Sequence, residues 1–299
     1  MKSSFKDISY THQLVLLVIL VLVSWGLLTI MGTIIAIPIW GMDSLSNPNI
    51  LLNNQSFLKY FQVIQSFALF IIPPFLFKYL VEKFPSTTRN KHPQIILLIF
   101  LSALVVVLAQ PFVSITGIIN NNLSFPDSLQ YIEDWMRGKE DSAQRATEIF
   151  LSYSHWSESI LNICIIAILP AIGEELLFRG TIQPILMGIF KRKHLAIIIT
   201  AALFSAIHIQ FFGFLPRFIL GVIFGYLMLY GKNIWLPISA HFINNFMAFM
   251  MYQVYLSDAD NENNPLNVSE EYPSPIWITL SIIGVILILK YIKKRTVLT

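Results

Sequence analysis

The chain has 299 residues, of which 55% are hydrophobic and only 12% charged, with a formal net charge of +3. Soluble globular domains carry about 25% charged residues, so an ordinary water-soluble domain is excluded. So small a charge offers no basic face to nucleic acid, and no nucleic-acid partner is expected. A single cysteine, Cys164, excludes an intrachain disulfide.

The first apolar run follows a basic start, in MKSSFKDISYTHQLVLLVILVLVSWGLLTIMG. It is too long for a signal-peptide h-region and lacks a small-residue cleavage site, so it reads as a retained first span over 13–38. Further apolar runs predict helices at 57–80, 94–115, 158–189, 195–212, 216–231, 234–254 and 275–291. The expected fold is therefore all-α: a polytopic integral membrane protein with eight transmembrane helices. The run at 158–189 exceeds the roughly 20 residues needed to cross a bilayer. Pro184 is expected to break it, leaving a short interfacial piece at 185–190.

Segment 116–157 is polar, and FPDSLQYIEDWMRGKEDSAQRATEIF reads as one or two amphipathic helices near the outer face, by default a connector. The loop SDADNENNPLNVSEEYPSP holds five acids and no base. Basic residues cluster at alternate span ends. Lys2, Lys6, Lys78, Lys83, Arg89, Lys91, Lys191, Arg192, Lys193, Lys232, Lys290, Lys293, Lys294 and Arg295 share one side, against Lys59, Arg137, Lys139, Arg145 and Arg217 on the other. The positive-inside rule then places both termini in the cytoplasm. Three regions result: three spans plus the polar connector over 1–155, a four-helix core over 156–255, and the acidic loop, last span and basic tail over 256–299.

Away from span ends the ionisable residues are Glu174, Glu175, Arg179, His208 and His241. A charged residue at a helix centre costs about 2.5–3.5 kcal/mol on the insertion scale, so several together mark a functional site by default. Residues four apart share a helix face. Glu175 and Arg179 are such a pair, able to neutralise each other, which leaves Glu174 over as a carboxylate able to act as a base. Phe204 with His208, and His241 with Asn245, repeat the spacing on two later helices. Taken singly, an intramembrane Glu–Arg pair also serves to lock helices, and a lone histidine serves as a buried hydrogen-bonding group.

In order, EELLFR (EExxxR), FSAIH (FxxxH) and HFINN (HxxxN) resemble the motifs of the CPBP family, the CAAX-protease and bacteriocin-processing (Abi) intramembrane endopeptidases. The resemblance covers 156–255. It implies a conical helical bundle around an intramembrane polar site. It also implies Glu174 and His208 as the groups that activate water, and His241 and Asn245 as the groups that hold the oxyanion. Glu175 and Arg179 would support the site or contact the substrate's C-terminal carboxylate, with Phe204 beside them in a supporting role. The implied substrate is a membrane-bound or lipidated protein or peptide, met in the lipid bilayer by a site that opens toward the cytoplasm.

Metal-independent water activation is the preferred reading, with no cofactor required. Zinc remains the other reading, with Glu174, His208 and His241 as its ligands. Asn245 is a poor zinc ligand, and Arg179 beside a dication is unfavourable. The Ile-, Asn- and Lys-rich composition suggests a bacterial plasma membrane. The alternative function is a non-enzymatic polytopic protein, either a bacteriocin self-immunity or scaffold protein or a proton-coupled transporter, since buried Glu and His also build proton relays.

Overall fold

A computed structural model describes residues 5, 7–47, 51, 53–81, 93–151, 156–257 and 272–297. Lys2, Lys6, Lys83, Arg89, Lys91 and all five acids of the 257–275 loop, which entered the topology reading, lie outside the described residues. The described residues contain no strand. The long helices are α1 (Tyr10–Trp40), α2 (Gln55–Val81), α3 (Ile95–Asn121), α4 (Gln130–Leu151) and α5 (Glu158–Phe190). They continue with α6 (Lys193–Ala206), α7 (Phe214–Gly231), α8 (Trp235–Ser257) and α9 (Pro275–Val297).

Every expected span contains a helix. Among the described residues six are long and apolar enough to cross a membrane: α1, α2, α3, α5, α7 and α9. Their outward faces are oily. Leu22, Leu27, Ile30, Ile34 and Ile39 of α1 are each more than half exposed, a surface that water would penalise and a bilayer accepts. The protein is an all-α integral membrane protein. Helix α6, at 14 residues, is about 21 Å long and falls short of the roughly 30 Å hydrocarbon core. Helix α8 is long enough but carries His241, Asn244 and Asn245 along its length.

Pro184 does not break its helix. Helix α5 runs through it, with a π-helical turn over Phe178–Ile182 just before. The arrangement recurs: Ser66–Ile71 is π-helical ahead of Pro73 and Pro74, and Ile163–Ile168 ahead of Pro170. A proline lacks an N–H and its ring presses on the preceding turn. Shifting that turn to the wider i→i+5 register relieves the conflict and keeps the helix continuous.

The chain divides into two compact units, Met1–Ser86 with Arg145–Lys191, and Thr87–Gln144 with Arg192–Thr299. In the first, α1 packs along α2, where the Tyr60 hydroxyl donates to the Gly32 carbonyl at 2.8 Å. Asn54 caps α2 by accepting from the Phe57 N–H. Helix α5 lies against the π-helical turn of α2.

In the second unit α3 is central. Its Leu98, Val105, Val106 and Ala109 form one apolar core with Phe224 and Leu227 of α7, Leu236 and Ala240 of α8, and Ile292 of α9. Polar rungs join α3 to α8: Ser102 to Ser239 at 2.7 Å, and Gln110 to Asn244 at 3.5 Å. Side-chain hydrogen bonds of this kind supply attraction that the hydrophobic effect does not provide between helices in lipid.

Candidate active site

Each unit holds one polar cluster. In the first, Gly173 precedes the paired glutamates where α5 crosses α2. A Cβ at Gly173 would lie 2.9 Å from Phe70 Cβ and 3.2 Å from Ile71 Cγ1. Only glycine lets the two backbones approach this closely, and the approach removes the following residues from solvent. Glu174 is 8% exposed, and Glu175 and Arg179 are fully buried.

Arg179 Nη1 donates to Glu175 Oε1 at 2.7 Å, as the spacing predicts. The nearby Glu174 carboxylate also acts electrostatically on Arg179. Glu174 stands five residues before Arg179, and the π-helical turn at 178–182 widens the helix where the guanidinium folds back. Two carboxylates and one guanidinium thus lie buried along one stretch of α5, with Glu175 holding the guanidinium.

The second cluster begins where α6 stops. The predicted span at 195–212 is helical only to Ala206, so His208 stands in the turn after the helix rather than on its face. The last carbonyls of a helix lack intrahelical donors. Here the His208 ring supplies one, with Nδ1 2.9 Å from the Phe204 oxygen. A carbonyl only accepts, so Nδ1 carries a proton, and in the neutral ring Nε2 is the acceptor nitrogen. Ile209 follows at φ +53°, a left-handed conformation that is costly for a β-branched residue.

Aromatic packing orients both imidazoles. The Phe204 ring lies 5.5 Å from His208 and 5.7 Å from His241, steeply inclined to each. His241 stacks on Phe224 at 5.1 Å with 21° between planes, and is 4% exposed. These are favourable aromatic geometries, and each restricts ring rotation.

Asn245 lies one turn beyond His241 on α8, and its oxygen accepts from Asn244 Nδ2 at 3.4 Å. The Asn244 oxygen accepts in turn from Gln110 of α3. This amide chain engages the Asn245 oxygen and keeps its N–H groups as the donor end.

Phe224, Asn244 and Gln110 were not among the residues singled out from sequence. Gln110 carried a signal, as the one amide in the apolar run LVVVLAQPF. Phe224 carried none, since a phenylalanine in an apolar helix resembles every other. Among the described residues, neither unit by itself gathers three His, Cys, Asp or Glu side chains into a set that could hold a metal ion.

Residues 156–247, 92 of the 299, match the family model described as Type II CAAX prenyl endopeptidase Rce1-like. The match and the motif resemblance name the same family of membrane peptidases, and support a CAAX-type endopeptidase in general. No curated protein and no solved structure matches the chain.

Proposed function

We propose that the chain is an intramembrane endopeptidase that hydrolyses a peptide bond in a membrane-embedded or lipidated, CAAX-type protein or peptide. One observation carries the reading. The segment that matches a peptidase family contains all seven motif residues: Glu174, Glu175, Arg179, Phe204, His208, His241 and Asn245.

In this mechanism Glu174 and His208 take the proton from water as its oxygen attacks the scissile carbonyl carbon. The carbonyl π bond opens to an oxyanion. His241 and Asn245 donate hydrogen bonds to that oxyanion, where negative charge develops. The C–N bond then breaks, and the proton held by the base passes to the leaving amine. Arg179 and Glu175 hold Glu174 in place, and the substrate approaches from the cytoplasmic side.

A fully buried guanidinium within the field of Glu174 suits a metal-free base better than a dication. A zinc ion, if one is used, would take Glu174, His208 and His241 as ligands and supply Lewis acidity.

The test uses full-length protein in proteoliposomes with an internally quenched farnesylated CAAX peptide. Glu174→Gln and His208→Ala are each expected to lower turnover by about 10²-fold or more. Unchanged turnover in Glu174→Gln removes the base assignment, and wild-type protein without turnover favours the non-enzymatic reading. Chelation by phenanthroline is expected to leave turnover intact. Loss that zinc restores would reverse the metal-free reading.

A further inference from the structure

The turn that carries His208, residues 207–213, is held by groups from α3 and α4, outside every motif. Asn120, at the end of α3 and 4% exposed, uses both ends of its amide. Its Nδ2 donates to the Phe211 carbonyl at 2.9 Å, and its Oδ1 accepts from the Leu215 N–H at 2.6 Å. Leu215 is the second residue of α7, so Asn120 caps that helix from a distant part of the chain while tying down the turn before it. The Ser205 hydroxyl donates to the Phe214 carbonyl at 2.7 Å, closing the turn from the α6 side.

Helix α4 adds a second set of contacts. Glu140 Oε2 accepts from the Phe212 N–H at 3.3 Å, and Oε1 accepts from Gln210 Nε2 at 3.4 Å. The Arg137 guanidinium sits 4.3 Å over the Phe212 ring, and Trp135 lies 5.3 Å from Phe211. Arg217 of α7 donates to the Gln210 side-chain oxygen at 3.1 Å and to the Gln210 carbonyl.

The strain at Ile209 gives this clamp a purpose. A β-branched residue leaves the left-handed region unless its surroundings over-determine it. Relaxation there would rotate the peptide next to His208 and pull Nδ1 from the Phe204 carbonyl.

We propose that Asn120 and Glu140 are positioning residues for His208: by clamping residues 210–215 they hold the turn that keeps Nδ1 on the Phe204 carbonyl and Nε2 unprotonated. The catalytic consequence rests on the reading of His208 as part of the base, whereas the positioning itself does not. Helix α4 is then part of the machinery that shapes the site, beyond its service as a connector.

The test reads the tautomer directly. Full-length protein labelled with ¹⁵N-histidine in lipid nanodiscs is compared with Asn120→Asp, Glu140→Ala and Glu140→Gln, the His208 signals being assigned with His208→Gln. Wild-type His208 is expected as a single Nδ1–H tautomer. Asn120→Asp places an oxygen against the Phe211 carbonyl, and Glu140→Ala removes both acceptors. Each is expected to give a mixture of tautomers at His208 with His194 and His241 unmoved.

Glu140→Gln keeps an acceptor for the Phe212 N–H and is expected to fall between. It decides the matter if the other variants lose all histidine signals through misfolding. An unaltered His208 tautomer in Glu140→Gln and in every folded variant overturns the proposal. On the farnesylated peptide, kcat is expected to fall by about 10- to 100-fold with KM unchanged, the cost of a small misplacement of a reacting group. If His208→Ala retains full turnover, the catalytic reading fails while the tautomer result still judges the clamp.

Discussion

His208 Nδ1 lies 2.9 Å from the carbonyl oxygen of Phe204, and the partner is main chain. No side-chain substitution at position 204 deletes that acceptor. Phe204→Leu is therefore expected to preserve the His208 tautomer while removing the ring that also contacts His241. Turnover should fall less than in His208→Gln, which removes the imidazole and is expected to cost about 10²-fold or more. Kinetics on the quenched peptide check the ranking; equal losses would mean that the ring matters as much as the imidazole.

The Glu175–Arg179 pair, fully buried and 2.7 Å apart, makes a prediction about stability. Removing one partner of a buried ion pair leaves the other charge uncompensated, at a cost of about 3–5 kcal/mol. Glu175→Leu and Arg179→Met should each destabilise by that order in reversible denaturation from bilayer-mimetic micelles. The double variant should lose less than the sum of the two, because each single change strands the other partner. Additive losses would show that the residues act through separate partners.

Two glycines of the second unit should respond oppositely to alanine. A Cβ at Gly221 would lie 3.0 Å from Ala201 Cβ, 3.1 Å from Ala201 Cα and 3.3 Å from Phe204 Cδ1. Gly221→Ala must separate α6 from α7 or displace the Phe204 ring, an overpacking cost of about 1–3 kcal/mol. At Gly117 the nearest atom is Pro216 Cγ at 3.9 Å. Gly117→Ala should gain up to about 1 kcal/mol of helix propensity. Paired thermal unfolding measurements distinguish the two, and equal shifts would refute the packing argument.

Helix α4 carries two carboxylates with opposite pH linkage. Glu133 is held below its ordinary value of 4.5, first by the Phe125 N–H and then by Arg137. Its contribution is present above 4.5 and is lost as pH falls through the lowered value. Glu140 is pushed above 4.5 by burial, which outweighs the Phe212 N–H bond and the nearby Arg217, with Asp141 pushing it further up. Its contribution is complete below 4.5 and declines as pH rises through the raised value. Hydrogen-exchange protection of residues 130–144, corrected for intrinsic rates, should weaken on both sides. Glu140→Gln should abolish the decline on the upper side alone; a profile identical to wild type would exclude Glu140 as its source.

Much of the molecule was legible in order and composition. Apolar runs of spanning length have few solutions in lipid other than helices, because every backbone group must be paired within the segment. The same logic exposes five of the seven motif residues, Glu174, Glu175, Arg179, His208 and His241, since an ionisable group is conspicuous where nearly every neighbour is oily. The Glu175–Arg179 pairing followed from a four-residue spacing that survives a local π-helical turn.

Tertiary structure decided what periodicity alone does not encode. Pro184 reads as a break, yet a π-helical turn before it absorbs the misfit and keeps α5 continuous. His208 reads as helical, but α6 ends at Ala206 and the imidazole caps the helix end instead. Asn120 and Glu140 had no local signal at all, because their partners lie about 70 to 95 residues away in the chain. Spacing along one helix is a property of the amino-acid order, whereas a clamp between distant turns exists only once α3, α4, α6 and α7 have packed.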